Sequence, residues 1–312
     1  MSVQSLYESV SANIGKVILG KKETIEMVIC SLLANGHILL EDVPGTGKTM
    51  LVRALAASIG GEQKRVQFTP DLLPSDITGI HYYHQNTGEF LLRRGPIFTN
   101  LFLADEINRA TPRTQAALLE CMAERQVTLD GETLSLPEVF MAMATMNPLD
   151  FQGTFPLPEA QIDRFMMKLH MGYPDIESER HIVDQITSGV HATMPNSVAT
   201  VADIMTARSE IDKVHVSEQV RDYIVRLVIA TREHEKIKLG VSPRGVVALT
   251  KASRAFAAMH GRDYVMPDDV KALAVPVLSH RLILQLQSSR GKSETGENII
   301  EYLLTKVPVS LI

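Results

Sequence analysis

The sequence predicts an α/β domain built on a parallel β-sheet, followed by a smaller all-α domain. Short, continuously apolar runs alternate with helical patterns at first, as expected for parallel strands that helices cover on both faces. Two segments break this alternation and predict β-hairpin inserts. Beyond about residue 190 only helical patterns remain, so we place the two domains at residues 1–190 and 191–312.

The elements of the first domain follow from local patterns. Residues 3–35 predict two helices, residues 37–42 predict a strand, and a glycine loop then leads into a helix that stops at Gly60. A further helix begins at Thr111, which is followed by a first-turn proline. The remaining strands are predicted at KRVQFT, NLFLADE, VFMAMATMN and FMMKLHM.

Two predicted hairpins project from this core. Residues 79–96 contain NTGE between strand-like runs, and residues 126–138 contain LDGE with apolar residues at alternate positions, so each predicts a tight turn. Large apolar side chains on the first hairpin predict a contact surface if they are exposed. The alternative is that they pack on the base of the hairpin. These residues are Tyr82, Tyr83, Phe90 and Leu91.

The second domain shows helical patterns from VADIMTARSEIDKV to LSHRLIL. SPRG and MPDD each place a proline at the start of a helix. The segment SGVHATMPNSV is expected to link the two domains.

The composition is that of an ordinary globular protein, with 45% hydrophobic and 21% charged residues among 312. The net charge of −5 argues against a dedicated nucleic-acid binder. Cys30 and Cys121 lack metal-ligand spacing, which indicates buried thiols in a reducing compartment. The N-terminus does not resemble a signal peptide, and residues 139–146, the most apolar stretch, are too few to span a membrane. We therefore expect a soluble, cytoplasmic protein.

The stretch LLEDVPGTGKTML nearly matches the phosphate-loop pattern G-x-x-x-x-G-K-[ST]. Gly47, Lys48 and Thr49 fit the pattern, whereas Asp42 stands where the first glycine is usual. Gly45 keeps the loop interior open to phosphates, and the predicted helix behind it supplies a helix N-terminus. Lys48 is expected to reach the β- and γ-phosphates and Thr49 to bind Mg²⁺. The alternative is an ordinary strand–turn–helix.

The acidic half of such a site is LFLADE, at the end of a neighbouring buried strand. Asp105 is expected to hold Mg²⁺ through water, and Glu106 to orient and deprotonate an attacking water. The alternative is that these acids only cap the next helix. Together with the loop, they predict nucleotide hydrolysis.

The order of the P-loop, LADEINRATPRTQAALLECM, ATMNP, LPEAQIDRF and SPRG resembles the AAA+ ATPases, and within them the MoxR family of the helix-2-insert group. FTPDLLPSDITG and the EDVPGxGKT form of the loop resemble that family too, so the resemblance makes Asp42 part of a working variant. It covers about residues 15–285. It implies a P-loop NTPase core with a helical lid, and ATP and Mg²⁺ as cofactors.

The resemblance also implies roles for single residues. Asn147 matches the sensor-1 residue that touches the γ-phosphate or the attacking water. Arg164 matches the arginine finger, which acts on the nucleotide of a neighbouring subunit, and Arg244 matches sensor 2 of the lid. The nucleotide itself is expected on the loop and on the VILG segment beside the adenine, at Val17, Ile18, Gly20, Val43, Pro44, Gly45, Thr46, Gly47, Lys48, Thr49 and Met50.

Three arginines keep alternatives at this point. Arg164 could be a surface ion-pair partner of Asp163, and Arg244 could be a helix-start residue without a contact. Arg109, just past Glu106, could also face a neighbouring subunit.

The resemblance implies a chaperone-like ATPase that remodels or matures a client protein, including insertion of a metal cofactor. The expected assembly is a homo-oligomeric ring of six subunits, and the expected partner carries a von Willebrand A domain. The alternative is a nucleic-acid-translocating motor of the helicase or restriction-subunit type. That class needs a basic surface, whereas Arg221, Arg226 and Arg232 are interspersed with acids.

Overall fold

The computed structural model describes residues 1–43, 45–148, 153–188, 193–285 and 294–309. Its helices are α1 (Val3–Gly15), α2 (Lys22–Leu33), α3 (Lys48–Ser58), α4 (Pro74–Thr78), α5 (Pro112–Glu124), α6 (Glu159–Ile162), α7 (Ile176–Thr187), α8 (Val201–Ile211), α9 (Glu218–Glu233), α10 (Pro243–Met259), α11 (Pro267–Leu278) and α12 (Gly296–Lys306). Its strands are β1 (Ile38–Glu41), β2 (Gln63–Gln67), β3 (Gly79–His84), β4 (Glu89–Arg94), β5 (Leu101–Asp105), β6 (Gln126–Leu129), β7 (Glu132–Ser135), β8 (Met141–Met146), β9 (Met167–Leu169), β10 (Ile237–Leu239) and β11 (Ile283–Leu284).

The predicted parallel sheet is confirmed. Its strands lie in the order β2-β5-β8-β1-β9, and every pair is parallel. Successive side chains of a strand point to opposite faces. On β5, Leu101 and Leu103 belong to the hydrophobic cluster of α1–α3 and of the lid helices α8–α12, whereas Phe102 and Ala104 belong to the cluster on the α5 side. Both faces are covered, which is why the strands are continuously apolar.

Both predicted hairpins are present as β3–β4 and β6–β7. The turn of the second has positive φ at Asp130 (50°) and Gly131 (90°), the conformation of a two-residue hairpin turn. His81 on the first hairpin lies 2.8 Å from the carboxylate of Asp130 on the second. The turn of the second insert therefore contacts a strand of the first.

The C-terminal region is helical, as predicted, apart from one small ribbon. β10 pairs antiparallel with β11, and the prediction of helices alone missed it. Two and three residues are too few to show a period of two. The lid helices share one hydrophobic cluster with α1 and α2, where Cys30 Sγ approaches the carbonyl of Ala252 at 3.4 Å.

The predicted domain boundary at residue 190 lies outside the described residues and stays a prediction. Cys30 and Cys121 are buried, as expected. Within the described part of the chain, no helix is long and apolar enough to cross a membrane.

Candidate nucleotide site

The glycine loop follows β1, between β8 and β9, at the carboxyl edge of the sheet where ligands of open parallel sheets bind. Gly45 and Gly47 have φ of 86° and 88°, a conformation that disfavours side chains with a Cβ. Lys48 begins α3, so the free backbone N–H groups of that helix lie beside the loop. Pro44 lies outside the described residues.

A cavity of about 420 Å³ lies over this loop. It brings together the predicted residues Lys48, Thr49, Asp105, Glu106 and Asn147. These side chains come from the start of α3, directly after the loop, and from the ends of β5 and β8, and parallel strands bring those ends to one edge. The convergence of the phosphate loop with both acids is the arrangement that the sequence predicted.

Asp105 ends β5 and is held from two sides. Its Oδ1 accepts the hydroxyl of Thr145 at 2.6 Å, and its Oδ2 accepts Nη2 and Nε of Arg65 at 2.7 and 3.0 Å. Thr145 in turn accepts the backbone N–H of Glu106 at 2.8 Å. Sequence reasoning missed Arg65 and Thr145, which lie about 40 positions away but on the strands that flank β5.

Glu106 stands directly after the strand with φ of 55°, which is strained for a residue with a side chain. Its Oε2 accepts Nε2 of Gln67 at 2.8 Å and Nη1 of Arg109 at 2.9 Å. Arg109 therefore contacts the acid of its own chain. Its predicted role toward a neighbour remains open.

Lys48 lies within reach of the loop carbonyls. Its Nζ donates to the carbonyls of Asp42 and Val43 at 2.9 Å each. Burial lowers the pKa of Lys48, and the negative charges of Asp42, Asp105 and Glu106 oppose that shift. The amino group of Lys48 therefore lies beside the loop that would hold the phosphates of a nucleotide.

Asp42, the residue that breaks the usual pattern, has a defined contact. Its carboxylate accepts the backbone N–H groups of Met171 and Gly172, just beyond β9. The substitution ties the start of the phosphate loop to the next strand of the sheet. This explains how a loop with an aspartate in place of the first glycine is held.

A second cavity of about 270 Å³ adjoins the first and shares Gly45, Thr46 and Gly47 with it. Its apolar lining includes Val17, Ile18, Met50, Met171 and Pro174. Such an apolar pocket beside a phosphate loop suits a purine base.

Two further predicted residues support these walls. Gly20 has φ of 69°, and a Cβ there would lie 2.7 Å from Oγ of Ser178, which lines the base pocket. The carbonyl of Val43 accepts the hydroxyl of Thr46 at 3.4 Å as well as the bond from Lys48. Gly20 therefore lies against the wall of the base pocket, and the carbonyl of Val43 binds two side chains of the phosphate loop.

The donor set fits a nucleotide with Mg²⁺. The hydroxyl of Thr49 and the carboxylate of Asp105 line one cavity, and oxygen atoms are the ligands that Mg²⁺ prefers. The left-handed glycines leave the loop backbone unobstructed, since a Cβ at Gly45 would meet nothing within 4 Å.

Arg164 and Arg244 lie together in a different place. Both line a cavity of about 330 Å³ that also includes residues 35–37, directly before β1. Among the described residues, the linings of this cavity and of the phosphate cavity have no member in common. Asp163 pairs with Arg281 of the lid, so the simple Asp163–Arg164 ion pair is not what the structure shows.

The two arginines therefore flank the amino edge of the sheet, whereas the loop lies at the carboxyl edge. β1 alone, with four residues, separates the edges by roughly 13 Å. Arg164 donates to the carbonyl of Leu119, and within the described residues its buried Nε has no hydrogen-bond partner. Neither arginine lies at the phosphate loop of its own chain.

The sheet order, the phosphate loop with its two acids and the helical lid define a P-loop ATPase of the AAA+ class. The sequence model of the ATPase family associated with various cellular activities (AAA) matches residues 37–167, and that of the AAA lid domain matches residues 229–302. The chain belongs to the MoxR family of these ATPases, and it is an ATP hydrolase.

Similar proteins span nearly the whole chain. An uncharacterised protein, YeaC of Bacillus subtilis, is 47% identical over 95% of this chain and 93% of its own length. Chaperone MoxR1 of Mycobacterium tuberculosis is 41% identical over 86% and 73%. Protein MoxR of Paracoccus denitrificans is 30% identical over 97% and 96%. The crystal structure of a candidate ATPase from Cytophaga hutchinsonii superposes with a TM-score of 0.92 at 40% identity, covering 99% of this chain and 96% of that one.

Proposed function

We propose that this chain is one subunit of a ring in which ATP, bound at the phosphate loop with Mg²⁺, is hydrolysed with help from a neighbouring subunit. Hydrolysis drives the remodelling or maturation of a client protein. The observation that carries the proposal is the position of Arg164 and Arg244 at the sheet edge opposite their own phosphate loop. Arginines that neutralise phosphate charge from there must do so for another chain.

Within one chain, each group at the carboxyl edge has a distinct role. Lys48 neutralises phosphate charge, Glu106 takes the proton of the attacking water, and Asn147 holds that water or the terminal phosphate. Thr49 and Asp105 would hold Mg²⁺, which when bound would supply positive charge to the phosphates.

The cavity at the amino edge is suited to receive an anion. Among the described residues, Arg125, Arg164, Arg244 and Lys251 line it, together with Arg281, which pairs with the carboxylate of Asp163. Because arginine forms planar, bidentate bonds to phosphate, an excess of such groups favours a phosphate-bearing partner. In a cyclic arrangement of subunits, the amino edge of one sheet faces the phosphate loop of the next subunit, so every loop receives one such edge. We propose six subunits, as the family resemblance implies.

The hairpins are the proposed client-binding surface. Of the four side chains named from the sequence, Phe90, Tyr83 and Tyr82 are exposed, Phe90 and Tyr83 to 72% and 55%, whereas Leu91 is half-buried. Ile80, which the sequence analysis did not name, is exposed beside them. One relative is named a chaperone. A protein with a von Willebrand A domain and the insertion of a metal cofactor remain our proposals for the partner and its maturation, and a cytoplasmic location remains a prediction.

Mixing two inactive variants tests the shared site. Arg164→Ala subunits keep an intact phosphate loop but supply no arginine to the neighbouring site. Lys48→Ala subunits have a defective phosphate loop but still supply Arg164 to the neighbouring site. We expect each alone to be inactive, and an equimolar mixture to recover about a quarter of wild-type ATPase activity if subunits mix randomly in a closed ring. The matched control mixes Arg164→Ala with the double variant Lys48→Ala/Arg164→Ala and stays inactive.

No recovery in a mixture whose subunits are shown to co-assemble, by co-purification of the untagged variant with the tagged one, would contradict the role of Arg164 across the interface. Stimulation of ATP turnover by single-stranded or duplex DNA would instead favour the nucleic-acid motor, because a protein remodeller has no reason to respond to DNA.

A further inference from the structure

Arg65 is hydrogen-bonded to Asp105, the acid that we assign to Mg²⁺. Its guanidinium donates through Nε and Nη2 to the same oxygen of Asp105, Oδ2, at 3.0 and 2.7 Å. Both residues line the phosphate cavity. The side chain of Asp105 is only 15% exposed, whereas that of Arg65 is 47% exposed. The carboxylate is thus fixed and the guanidinium has an open route away from it.

The carboxylate has little capacity left. Two ionised oxygens offer about four acceptor positions. Arg65 uses two on Oδ2, and the hydroxyl of Thr145 uses one on Oδ1. One position remains, on Oδ1. A hydrated metal ion that binds Asp105 through Oδ2 competes with the guanidinium, because both are cations that seek the same lone pairs.

The same guanidinium reaches the second acid through one intermediate. Nη2 of Arg65 donates to Oε1 of Gln67 at 2.9 Å, and Nε2 of Gln67 donates to Oε2 of Glu106 at 2.8 Å. Asp105, Arg65, Gln67 and Glu106 therefore form one chain of hydrogen bonds. A displacement of Arg65 also removes the bond that orients the amide of Gln67 toward Glu106.

We propose that Arg65 is a positioning residue that holds Asp105 in place of Mg²⁺ and leaves this carboxylate when the metal is bound there. The inference rests on the proposed role of Asp105 toward Mg²⁺. The exchange depends on metal and nucleotide, because the guanidinium and the metal ion are cations that seek the same carboxylate oxygen. Arg65 thereby sets how strongly Mg²⁺ and nucleotide binding are coupled.

The test is the Mg²⁺ dependence of nucleotide affinity, measured with a fluorescent ADP analogue so that no turnover is needed. The quantity is the ratio of the dissociation constant in EDTA to that in saturating Mg²⁺. In Arg65→Gln, the carboxylate of Asp105 repels the nucleotide more strongly when no metal is present, and it binds Mg²⁺ without competition. The ratio of the two dissociation constants should therefore rise at least about fivefold. Arg65→Lys keeps the charge and should stay within about twofold of wild type.

Lys64→Gln is the matched control, because Lys64 is the neighbouring cation on β2, points to the other face and pairs with Glu62 at 3.2 Å. It should leave the ratio unchanged. Equal weakening of Arg65→Gln with and without Mg²⁺ would mean a merely structural role and would overturn the proposal. A fall in the ratio, with nucleotide affinity weakened only in the presence of Mg²⁺, would indicate that Arg65 contacts the phosphates. That result would also overturn the proposal. Absence of nucleotide binding by the wild-type chain would overturn the proposed site itself.

Discussion

The carboxylate of Asp42 accepts the backbone N–H of Gly172 at 3.1 Å, across the gap between the phosphate loop and the segment that follows β9. It also accepts the N–H of Met171, a residue of the base pocket. Asp42 thus links the loop that would hold the phosphates to a wall that would hold the base. A glycine at this position could provide neither bond.

Asp42→Gly should therefore damage the protein although it restores the usual pattern. Hydrogen bonds to a charged group contribute about 1.5–3 kcal/mol, so we expect the free energy of unfolding to fall by about that amount. ADP affinity should also fall, because the loop and the base pocket lose their connection. Urea unfolding and fluorescent-ADP titration measure the two effects. Asp42→Asn keeps an acceptor oxygen and should lose less; equal stability of Asp42→Gly and wild type would contradict the tether.

Lys48→Ala should lose nucleotide affinity by at least about a hundredfold, because the charge-assisted contacts of the lysine to the phosphates disappear. Equilibrium titration with fluorescent ADP measures this. Lys64→Ala removes an exposed lysine that pairs with Glu62 and should bind normally. Near-normal affinity of Lys48→Ala would move the phosphate site elsewhere.

Glu106→Gln should bind ATP normally and hydrolyse it at least about a hundredfold more slowly, because the amide cannot accept the proton of the attacking water. The amide has nearly the shape of the carboxylate and leaves the strained turn at φ 55° in place. Single-turnover hydrolysis separates the two effects. Unchanged turnover would show that another group is the base.

The core of the site was predictable because its signals are local. The glycines, Lys48 and Thr49 are contiguous, and Asp105 ends an apolar run that can be recognised by itself. The resemblance then suggested Asn147, which does line the same cavity. Strand order could not be read from such patterns, yet it determines which residues flank the acids.

The residues beside the two acids that sequence reasoning missed act across strands. Arg65 and Gln67 on β2, and Thr145 on β8, contact the acids only because both strands pair with β5. Knowledge of the strand order would have identified them, since residues at the carboxyl ends of adjacent parallel strands share an edge. Arg281, more than 100 positions beyond Asp163, offered no local signal.

Asp163→Ala should destabilise the fold strongly. Arg281 is only 8% exposed, pairs with Asp163 and donates to the carbonyl of Phe165 at 2.6 Å. Removal of one partner of a buried ion pair costs about 3–5 kcal/mol, because the remaining charge is left without compensation. Urea unfolding measures the loss, and Asp212→Ala, at an exposed helix end, serves as the control. A loss under about 1 kcal/mol would mean that water compensates Arg281.

His37 should make the fold sensitive to acid. It is buried just before β1; its Nδ1 accepts the N–H of Ala142 at 3.0 Å, and its Nε2 lies 3.1 Å from the carbonyl of Met122, an arrangement that requires the neutral ring. Burial lowers the pKa of His37 from 6.5 to about 4. Between these two pKa values the unfolded chain binds a proton at His37 and the folded chain does not. The contribution of His37 to the free energy of unfolding is therefore complete above pH 6.5 and falls as the pH approaches 4.

At pH 5 this histidine should cost about 2 kcal/mol relative to pH 7.5. His37→Gln can keep both bonds with a side chain that does not titrate, so its unfolding free energy should fall by about 2 kcal/mol less than that of wild type between these pH values. The buried His280, whose pKa burial also lowers, remains in both proteins and contributes equally. Urea unfolding at the two pH values gives the comparison, and identical pH dependence of the two proteins would show that His37 is not the titrating group.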